Sequence, residues 1–294
     1  MAGPAGYQAA LAAACARAGL DPRGAVVLHI RANAVYHLPR ERAVARLRFT
    51  PAGPGAVLER LTAAVRVTGW LRSQGFPAAE PLDLDQPVNA DGHVAMFWRY
   101  VTVTAEPGRD VTTLARLLRR LHALPAPPVP PPAASLLGSL RADLERSDAV
   151  TARDRDWLLA RAGELEQQYQ HASWVLGTGL IHGDAPAGNL LHAPAGVVLG
   201  DCDSVSHGPR ELDLVPTSMW HRFDRPRAEW HQFCAASGIS PEDLPGLPLL
   251  QQLRELHGLA AYVRNAASPA FRAELSTRIT SLRTGTSTRP WQAL

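Results

Sequence analysis

The stretch of sequence that decides the fold is residues 179–214, which read GLIHGDAPAGNLLHAPAGVVLGDCDSVSHGPRELDL. Within it, two apolar segments flank the four-residue turn APAG, a spacing that is common in β-hairpins. Pairing His192 with Val197 sets the register of this hairpin. The register predicts that the Asn189 amide and the Asp201 carboxylate lie together at the open end of the hairpin.

The chemistry of these side chains indicates a reaction type. Magnesium prefers oxygen ligands and is held by one or two carboxylates together with phosphate oxygens and water. Asp184 lies five residues before Asn189, on the loop that leads into the first strand. A carboxylate placed near a metal but not bound to it is suited to accept a hydroxyl proton. A positioned base with a metal-binding Asn and Asp is the set of groups that phosphoryl transfer requires.

At these residues the sequence resembles the aminoglycoside phosphotransferase family, the small-molecule kinases of protein-kinase-like fold. The family's catalytic loop, H-G-D-x-x-x-x-N, is matched by residues 182–189. Its hydrophobic strand ending in Asp is matched by residues 197–201, and its Gly-Pro-x-x-x-Asp-Leu stretch by residues 208–214. The close match covers about residues 179–216, and the order of the elements fits more weakly over the rest of the chain.

The resemblance implies a role for each matched residue. Asp184 is the expected catalytic base, and Asn189 and Asp201 are the expected metal ligands. His182 is expected to hold the catalytic loop by hydrogen bonds, and Asp213 to organise that loop or cap the following helix. The implied cofactors are ATP or GTP with Mg²⁺.

Asp203 lies two residues after Asp201. On a continuing strand we expect the Asp203 side chain to point the other way from that of Asp201. We therefore expect Asp203 to point away from the metal site and to form hydrogen bonds within the loop rather than bind metal.

The remaining pattern predicts a β-rich part followed by a helical part. Strands are expected at residues 26–30, 34–38, 44–49, 82–88 and 93–101, and one helix at 57–74. Helices are then expected from 111 onward and at 134–146, 152–171, about 214–223, 226–237, 247–267 and 269–282. This order fits an α+β protein-kinase-like fold of two lobes, with a small antiparallel sheet and one helix in residues 1–100 and a larger helical lobe in 101–294. The resemblance assigns nucleotide clamping to the first lobe and catalysis with substrate binding to the second.

The nucleotide clamp implied by the resemblance departs from the family pattern. Arg46 stands where the family has a lysine on the third strand, and Ala64 stands where a helix glutamate should pair with it. Glu59 is the only acidic residue on the predicted helix 57–74. The turn at residues 31–33 replaces a glycine-rich loop. In the segment where the hinge should grip the adenine, Trp98 and Tyr100 are candidate contacts to the base, although such aromatic residues often belong to the core.

Composition excludes several classes of protein. The chain has 294 residues, of which 46% are hydrophobic, so we expect a sizeable core rather than disorder. All 30 basic residues are Arg, which closes any mechanism that needs a lysine. The formal net charge of +3 gives no nucleic-acid signal, and the three cysteines without a CxxC fit a reducing cytoplasm. No stretch reads as a membrane span, and we expect a monomer or homodimer.

The acceptor is expected to be a hydroxyl of a small molecule. Asp224 and Glu229, close to Trp220 and Trp230, are tentative substrate-binding residues because acidic and aromatic side chains suit a cationic substrate. Ordinary solvated helix positions are the competing interpretation, and His122 on a leucine-rich helix is expected to be a packing residue.

Three functions remain open at the level of the sequence. The leading hypothesis is phosphorylation of an antibiotic or natural product, which is a resistance activity. The alternatives are a metabolite kinase of the amino-alcohol or sugar type, and a degenerate kinase-like module without catalysis. A protein kinase is disfavoured because Gly183 stands where those enzymes have Arg, and a serine hydrolase because no GxSxG occurs.

Overall fold

A computed structural model describes residues 4–30, 33–50, 53–104, 108–287 and 289–292. Two residues of the predicted 31–33 turn, Arg31 and Ala32, lie outside the described residues. In chain order the elements are α1 (Pro4–Ala18), β1 (Val26–Ile30), β2 (Ala34–Leu38), β3 (Ala43–Phe49), α2 (Gly55–Ser73), β4 (Val88–Ala90), β5 (His93–Arg99), α3 (Val111–His122), α4 (Gly138–Arg146), α5 (Ala152–His171), β6 (Thr178–Ile181), β7 (Leu190–Ala193), β8 (Gly196–Leu199), β9 (Ser206–Pro209), α6 (Val215–Ser218), α7 (Arg227–Ser237), α8 (Leu247–Arg264) and α9 (Pro269–Thr284).

The chain divides into two compact units. Unit 1 consists of residues 1–109, 123–132 and 187–206, and unit 2 of residues 110–122, 133–186 and 207–294. The hairpin of β7 and β8 therefore belongs to the same unit as the N-terminal sheet, whereas the Asp184 loop that precedes it belongs to the helical unit. The expected lobes, 1–100 and 101–294, stay a prediction.

Unit 1 is built on an antiparallel sheet in the order β1-β2-β3-β5-β4. Because side chains alternate along a strand, the two faces of β5 enter different cores. Phe97 packs with Tyr7 and Leu11 of α1 on one face. Met96 and Trp98 pack with α2 on the other face. The sheet thus has one helix packed on each face. In the strand order, β3 is the central strand.

The strands predicted at 26–30, 34–38 and 44–49 and the helix at 57–74 are confirmed to within two residues at each end. The strand predicted at 82–88 is wrong, since the strand in this region is Val88–Ala90, which pairs with β5 in a hairpin that turns at Asp91 and Gly92. Gln86 precedes a proline and uses its side chain to bind the backbone of Phe97, so this segment caps the sheet instead of extending it.

The β7–β8 hairpin has the predicted register. Leu190 pairs with Leu199, Leu191 with Val198 and His192 with Val197. A backbone hydrogen bond of 2.9 Å from Gly200 N to Asn189 O closes its open end. The hairpin is tied to the N-terminal part of unit 1 where the Ala79 amide donates to the Leu199 carbonyl over 2.9 Å.

Unit 2 is mainly helical, with the short pair β6–β9. Leu114, Leu118 and Leu121 of α3 form the buried face that the leucine spacing predicts. The helix predicted at 134–146 begins only at Gly138, after the proline-rich segment. The helix predicted at 214–223 is wrong as a single element, because 3₁₀ turns replace it on both sides of α6, which has a proline in its first turn.

Helix α5 begins where the sequence predicts. The Thr151 hydroxyl caps it by accepting a hydrogen bond of 3.1 Å from the Asp154 amide. Among the described residues, none of the helices combines the length and the apolar character that crossing a bilayer requires.

Gly208 of the Gly-Pro motif is required by close packing. A Cβ at this position would lie 3.0 Å from the Ala134 Cβ and 3.2 Å from the Ile181 Cδ1. We expect Gly208→Ala to destabilise unit 2 by about 1–3 kcal/mol, because two apolar groups must move to admit the methyl. The measurement is the midpoint of thermal unfolding.

The matched control is Gly163→Ala on the exposed face of α5, where the new Cβ would meet only the Arg141 Nη2 at 3.9 Å. This substitution should stabilise the helix slightly, because alanine has the higher helix propensity. Equal midpoints for the two variants would contradict the packing explanation.

Candidate active site

The loop that carries Asp184 is held by a buried carboxylate. Asp213 accepts hydrogen bonds from the backbone amides of His182 (2.9 Å) and Gly183 (2.7 Å), one on each oxygen. The His122 Nε2 donates a third over 2.8 Å, and the Asp213 side chain has no exposed surface. Gly183 adopts a φ of +80°, a backbone conformation that glycine reaches without strain. This network fixes the backbone immediately before Asp184, while the Asp184 side chain itself stays 36% exposed.

Asp213 is held in its charged form. Burial alone would raise the pKa of this carboxyl, but the hydrogen bond and charge of His122, with the contribution of His182, hold its pKa below the usual value. Of the two roles expected for Asp213, organising the loop is the one that these hydrogen bonds support. The expectation for His122 is wrong in one respect, since this residue is more than packing: its ring nitrogen is a partner of the buried carboxylate.

Asp184 meets a cation that the sequence analysis did not find. The Arg254 Nη2, on α8, lies 2.5 Å from the Asp184 Oδ1, and the two side chains are 22% and 36% exposed. Arg254 is 70 residues away in sequence, and nothing in a helix with one buried face distinguishes it from a solvated arginine. The contact places a permanent positive charge beside the expected base.

In unit 1, Asn189 and Asp201 flank the open end of the β7–β8 hairpin, as the register requires. Asn189 ends a 3₁₀ turn that leads into β7, and Asp201 follows β8 after one residue, Gly200. Asp201 has a left-handed backbone with φ of +57° and ψ of +49°, a conformation that Asp tolerates better than most residues. The strand therefore ends sharply at Asp201, and the chain turns into a 3₁₀ helix, Cys202–Ser204.

This turn overturns the expectation that Asp203 points away. Arg46 of β3 reaches both carboxylates, with its Nη1 2.6 Å from the Asp201 Oδ1 and its Nε 3.0 Å from the Asp203 Oδ2. The expectation was wrong in its geometry, because side chains two residues apart on a strand share a face. In addition, residues 202–204 form a 3₁₀ helix and do not continue the strand. The prediction that Asp203 does not bind metal stays a prediction.

The partner of Arg46 is thus found on the β8 turn and not on α2. Ala64 is fully buried and Glu59 is exposed. Burial raises the pKa of Asp203, opposed by the charges of Arg46, Arg48 and Arg60, while the nearby Asp201 adds to the rise. The helix that carries a glutamate in the family pattern here contributes the positive charge of Arg60. Arg46 replaces the family's lysine and Ala64 its helix glutamate, and the carboxylates of Asp201 and Asp203 are the ones that pair with Arg46.

The donor set fits magnesium better than a metal with a full protein cage. Across the described ranges, no group of three or more His, Cys, Asp or Glu side chains is arranged to hold a metal ion. Asn189 and Asp201 offer two oxygen ligands, which suits an ion that keeps water and takes phosphate oxygens. The buried Asp203 Oδ1 has no hydrogen-bond partner, so one further oxygen is available in the same cluster.

The aromatic candidates for the base differ in their surroundings. Trp98 is buried in the core cluster with Leu61 and Met96. The ring of Tyr100 stacks on that of His37, with centroids 3.8 Å apart. These contacts account for both residues structurally, and contact with a nucleotide base stays a prediction for each.

The tentative acceptor residues lie at the start of α7. Glu229 is buried, and its Oε2 lies 2.5 Å from the Arg225 Nη2. Asp224 is exposed and has a φ of +51°. The Glu229 carboxylate is therefore matched by an arginine of the same helix turn, and substrate binding by these residues stays a prediction.

Comparison with known proteins identifies similar chains. A family model described as "Phosphotransferase enzyme family" matches residues 28–256. No curated protein sequence matches the chain. Three similar solved structures are a microcompartment-associated aminopropanol kinase (TM-score 0.69, 17% identity, covering 92% of this chain and 94% of that one), an amicoumacin kinase in complex with AMP-PNP, Ca²⁺ and Ami (0.65, 13%, 92% and 91%), and an aminoglycoside phosphotransferase, APH(3'')-Id, from Streptomyces rimosus (0.60, 18%, 89% and 99%). At these identities the likeness to the structures shows the fold, which is the expected protein-kinase-like α+β fold.

The Asp213 network predicts a specific sensitivity to acid. A carboxyl whose pKa is lowered by folding adds stability above its unfolded pKa, near 4, and that stability is lost as the pH falls through the folded pKa. Asp213→Asn should lower the midpoint of thermal unfolding at pH 7 by several degrees, because an amide cannot accept from both backbone donors and His122. The midpoint of this variant should also fall less than that of the wild type between pH 5 and pH 3.

Asp148→Asn is the control, since the Asp148 side chain is fully exposed. It should follow the wild-type curve at every pH. If Asp213→Asn has the same pH profile as the wild type, the buried carboxylate does not hold the loop in the way described.

Proposed function

The chain belongs to the phosphotransferase enzyme family, and on that premise we propose that it transfers the γ-phosphate of ATP or GTP to a hydroxyl of a small molecule. The observation that carries the proposal is the Asp184 loop. A fully buried Asp213 fixes the backbone before Asp184, while Asp184 stays exposed enough to meet a substrate. A rigid backbone under an accessible carboxylate is what positioning a hydroxyl requires.

Each unit supplies one part of the proposed chemistry. In unit 2, Asp184 orients the acceptor hydroxyl and accepts its proton. In unit 1, Asn189 and Asp201 hold Mg²⁺, which when bound neutralises charge on the phosphates. The oxygen ligands and the additional Asp203 oxygen described above support this assignment.

Arg46 is the proposed phosphate ligand. A guanidinium binds phosphate in a bidentate manner and stays charged at every relevant pH. Without nucleotide it pairs with Asp201 and Asp203. We propose that binding of the metal–nucleotide complex transfers Arg46 from Asp201 to the phosphates, while Asp203 keeps its contact to the Nε and takes the place of the helix glutamate.

The acceptor class is open between two possibilities. The similar structures include an antibiotic kinase and an aminopropanol kinase, so the fold is compatible with a natural product and with a metabolite. We propose a natural product or antibiotic first and a metabolite second. The contacts of Arg46 with Asp201 and Asp203 support the catalytic proposal over the non-catalytic alternative, because carboxylates stand beside Arg46 although the helix glutamate is missing.

Asp184→Asn tests the proposed base. We expect kcat to fall by about 10²–10⁴-fold, because the amide cannot accept the hydroxyl proton. The affinity for Mg²⁺–nucleotide should stay within about twofold of the wild type. Steady-state kinetics and titration calorimetry give the two quantities. Normal turnover by Asp184→Asn would exclude this residue as the base.

Arg46→Ala tests the phosphate contact. The variant should raise the KM for nucleotide by at least about tenfold, since a charge-assisted contact to phosphate is lost. The matched control is Arg99→Ala on β5, whose side chain is exposed and faces Glu80. An unchanged KM in Arg46→Ala, or an equal rise in both variants, would assign the phosphate contact to another group.

A further inference from the structure

The contact between Arg254 and Asp184 places a positive charge next to the proposed base, where an acceptor would bind. The inference drawn from this contact rests on the proposed function. The Arg254 Nη2 donates to the Asp184 Oδ1 over 2.5 Å, and neither side chain is sealed from solvent. An oxygen lone pair that accepts from Arg254 is not open to accept from a hydroxyl. An incoming acceptor must therefore share Asp184 with the guanidinium or give Arg254 another partner.

The carboxylate next to Arg254 on α8, that of Glu255, does not compensate the charge of Arg254. Glu255 is buried, and its Oε1 lies 2.6 Å from the Arg222 Nε on another element. Burial, with the charge of Arg254, lowers the pKa of His257 to about 4, and its Nδ1 is paired with the Leu136 carbonyl. His257 is thus neutral at pH 7, and the turn of α8 next to Asp184 presents one positive charge.

The buried carboxylates of unit 2 are already used inside the fold. Each of those in the described ranges has a hydrogen-bond or ion-pair partner in the same unit: Asp143 with Arg264, Glu211 with the Leu176 amide, Asp213 with His122, Glu229 with Arg225, Glu255 with Arg222 and Glu274 with Arg278. A polyamine would need several carboxylates that are free to bind ammonium groups. The interior of unit 2 provides matched pairs instead.

We propose that the acceptor carries an oxyanion, a carboxylate or phosphate, close to the hydroxyl that is phosphorylated, and that Arg254 selects it. The oxyanion takes the guanidinium of Arg254 from Asp184, which frees Oδ1 for the hydroxyl. In the transfer, the acceptor oxygen forms a bond to the γ-phosphorus while the bond from that phosphorus to the bridging oxygen breaks. The hydroxyl proton goes to Asp184, and the nucleoside diphosphate leaves.

The same charge acts against a cationic acceptor. An ammonium group cannot take the guanidinium of Arg254 from Asp184. With a cationic acceptor, Arg254 would therefore stay on the Asp184 Oδ1, and the carboxylate that could attract the ammonium is already matched by an arginine. The proposal therefore places amino alcohols and polycationic aminoglycosides below hydroxy acids and phosphorylated polyols as substrates. Asp224 and Glu229 are then not needed to recognise a cation.

A matched panel on one carbon skeleton tests the selection. Glycerate, glycerol 3-phosphate, glycerol and 3-aminopropane-1,2-diol share a diol and differ in the charge beside it. Gluconate, glucose 6-phosphate, glucose and glucosamine repeat the comparison on a larger skeleton, and kanamycin represents a polycation. Phosphate transfer from radiolabelled nucleotide with Mg²⁺ is measured for each compound. At least one anionic member should exceed its amine partner by about tenfold or more in kcat/KM, and the carboxylate and phosphate members separate the two sources of the oxyanion.

Arg254→Gln, Arg254→Lys and the control Arg227→Gln show whether Arg254 makes the selection. Arg227 is an exposed residue at the start of α7, so its substitution removes the same charge elsewhere on unit 2. Arg254→Gln should lower the ratio of kcat/KM for the anionic acceptor to kcat/KM for its neutral partner by about 10–100-fold, the loss of one charge-assisted hydrogen bond. Arg254→Lys should restore part of the loss, and Arg227→Gln should behave as wild type.

The failures of the two proposals are distinguishable. If the wild type does not bind Mg²⁺–nucleotide, the proposed function itself fails. If it binds nucleotide but prefers the amine compounds, or transfers phosphate to no anionic compound, the oxyanion proposal is overturned. Equal changes for anionic and neutral acceptors in Arg254→Gln would also overturn it, because Arg254 would then act only on the position of Asp184.

Discussion

The structure of unit 2 depends on one buried carboxylate, that of Asp213, which must have hydrogen-bond partners. Asp213 is fully buried, and an unpaired charge at such a place would cost several kcal/mol. Its two oxygens instead receive two backbone amides and an imidazole. Satisfying Asp213 therefore requires the backbone at His182 and Gly183 to take one shape, and that shape presents Asp184. Gly208, which has no room for a side chain, packs closely against Ala134 and Ile181 and so holds the segment that leads to Asp213.

A second consequence of charge balance appears in unit 1, in a chain whose basic residues are all arginine. Where the family pattern has a lysine on β3 and a glutamate on the helix, this chain has Arg46 on β3 and Ala64 on α2. The carboxylates that pair with Arg46 come from the turn after β8, where residues 202–204 form a 3₁₀ helix and Asp203 joins Asp201 at Arg46. One loop thus carries both the expected metal ligand and a partner of the proposed phosphate ligand.

Local patterns were sufficient for much of this structure. Turn length and apolar spacing predicted the β7–β8 register and hence the proximity of Asn189 and Asp201. The helix predicted at 152–171 is likewise present with these bounds. The contacts that needed the folded chain were those between distant residues on polar helix faces. Arg254 and His122 lie 70 and 91 positions from their partners, and each has a sequence context typical of an ordinary helix residue. Asp203 was placed wrongly because side chains two residues apart on a strand share a face, and because the strand ends at Leu199 and does not continue through Asp203.

The central claim is that Asp201 and Arg46 exchange their mutual contact for a metal–nucleotide complex. The most direct measurement is the thermal unfolding midpoint of the wild-type chain with ATP and with GTP, each with and without Mg²⁺. The account predicts stabilisation that requires Mg²⁺, of about 2.7 kcal/mol when the nucleotide is at one hundred times its Kd. The same shift without Mg²⁺, or no shift with either nucleotide, would contradict it.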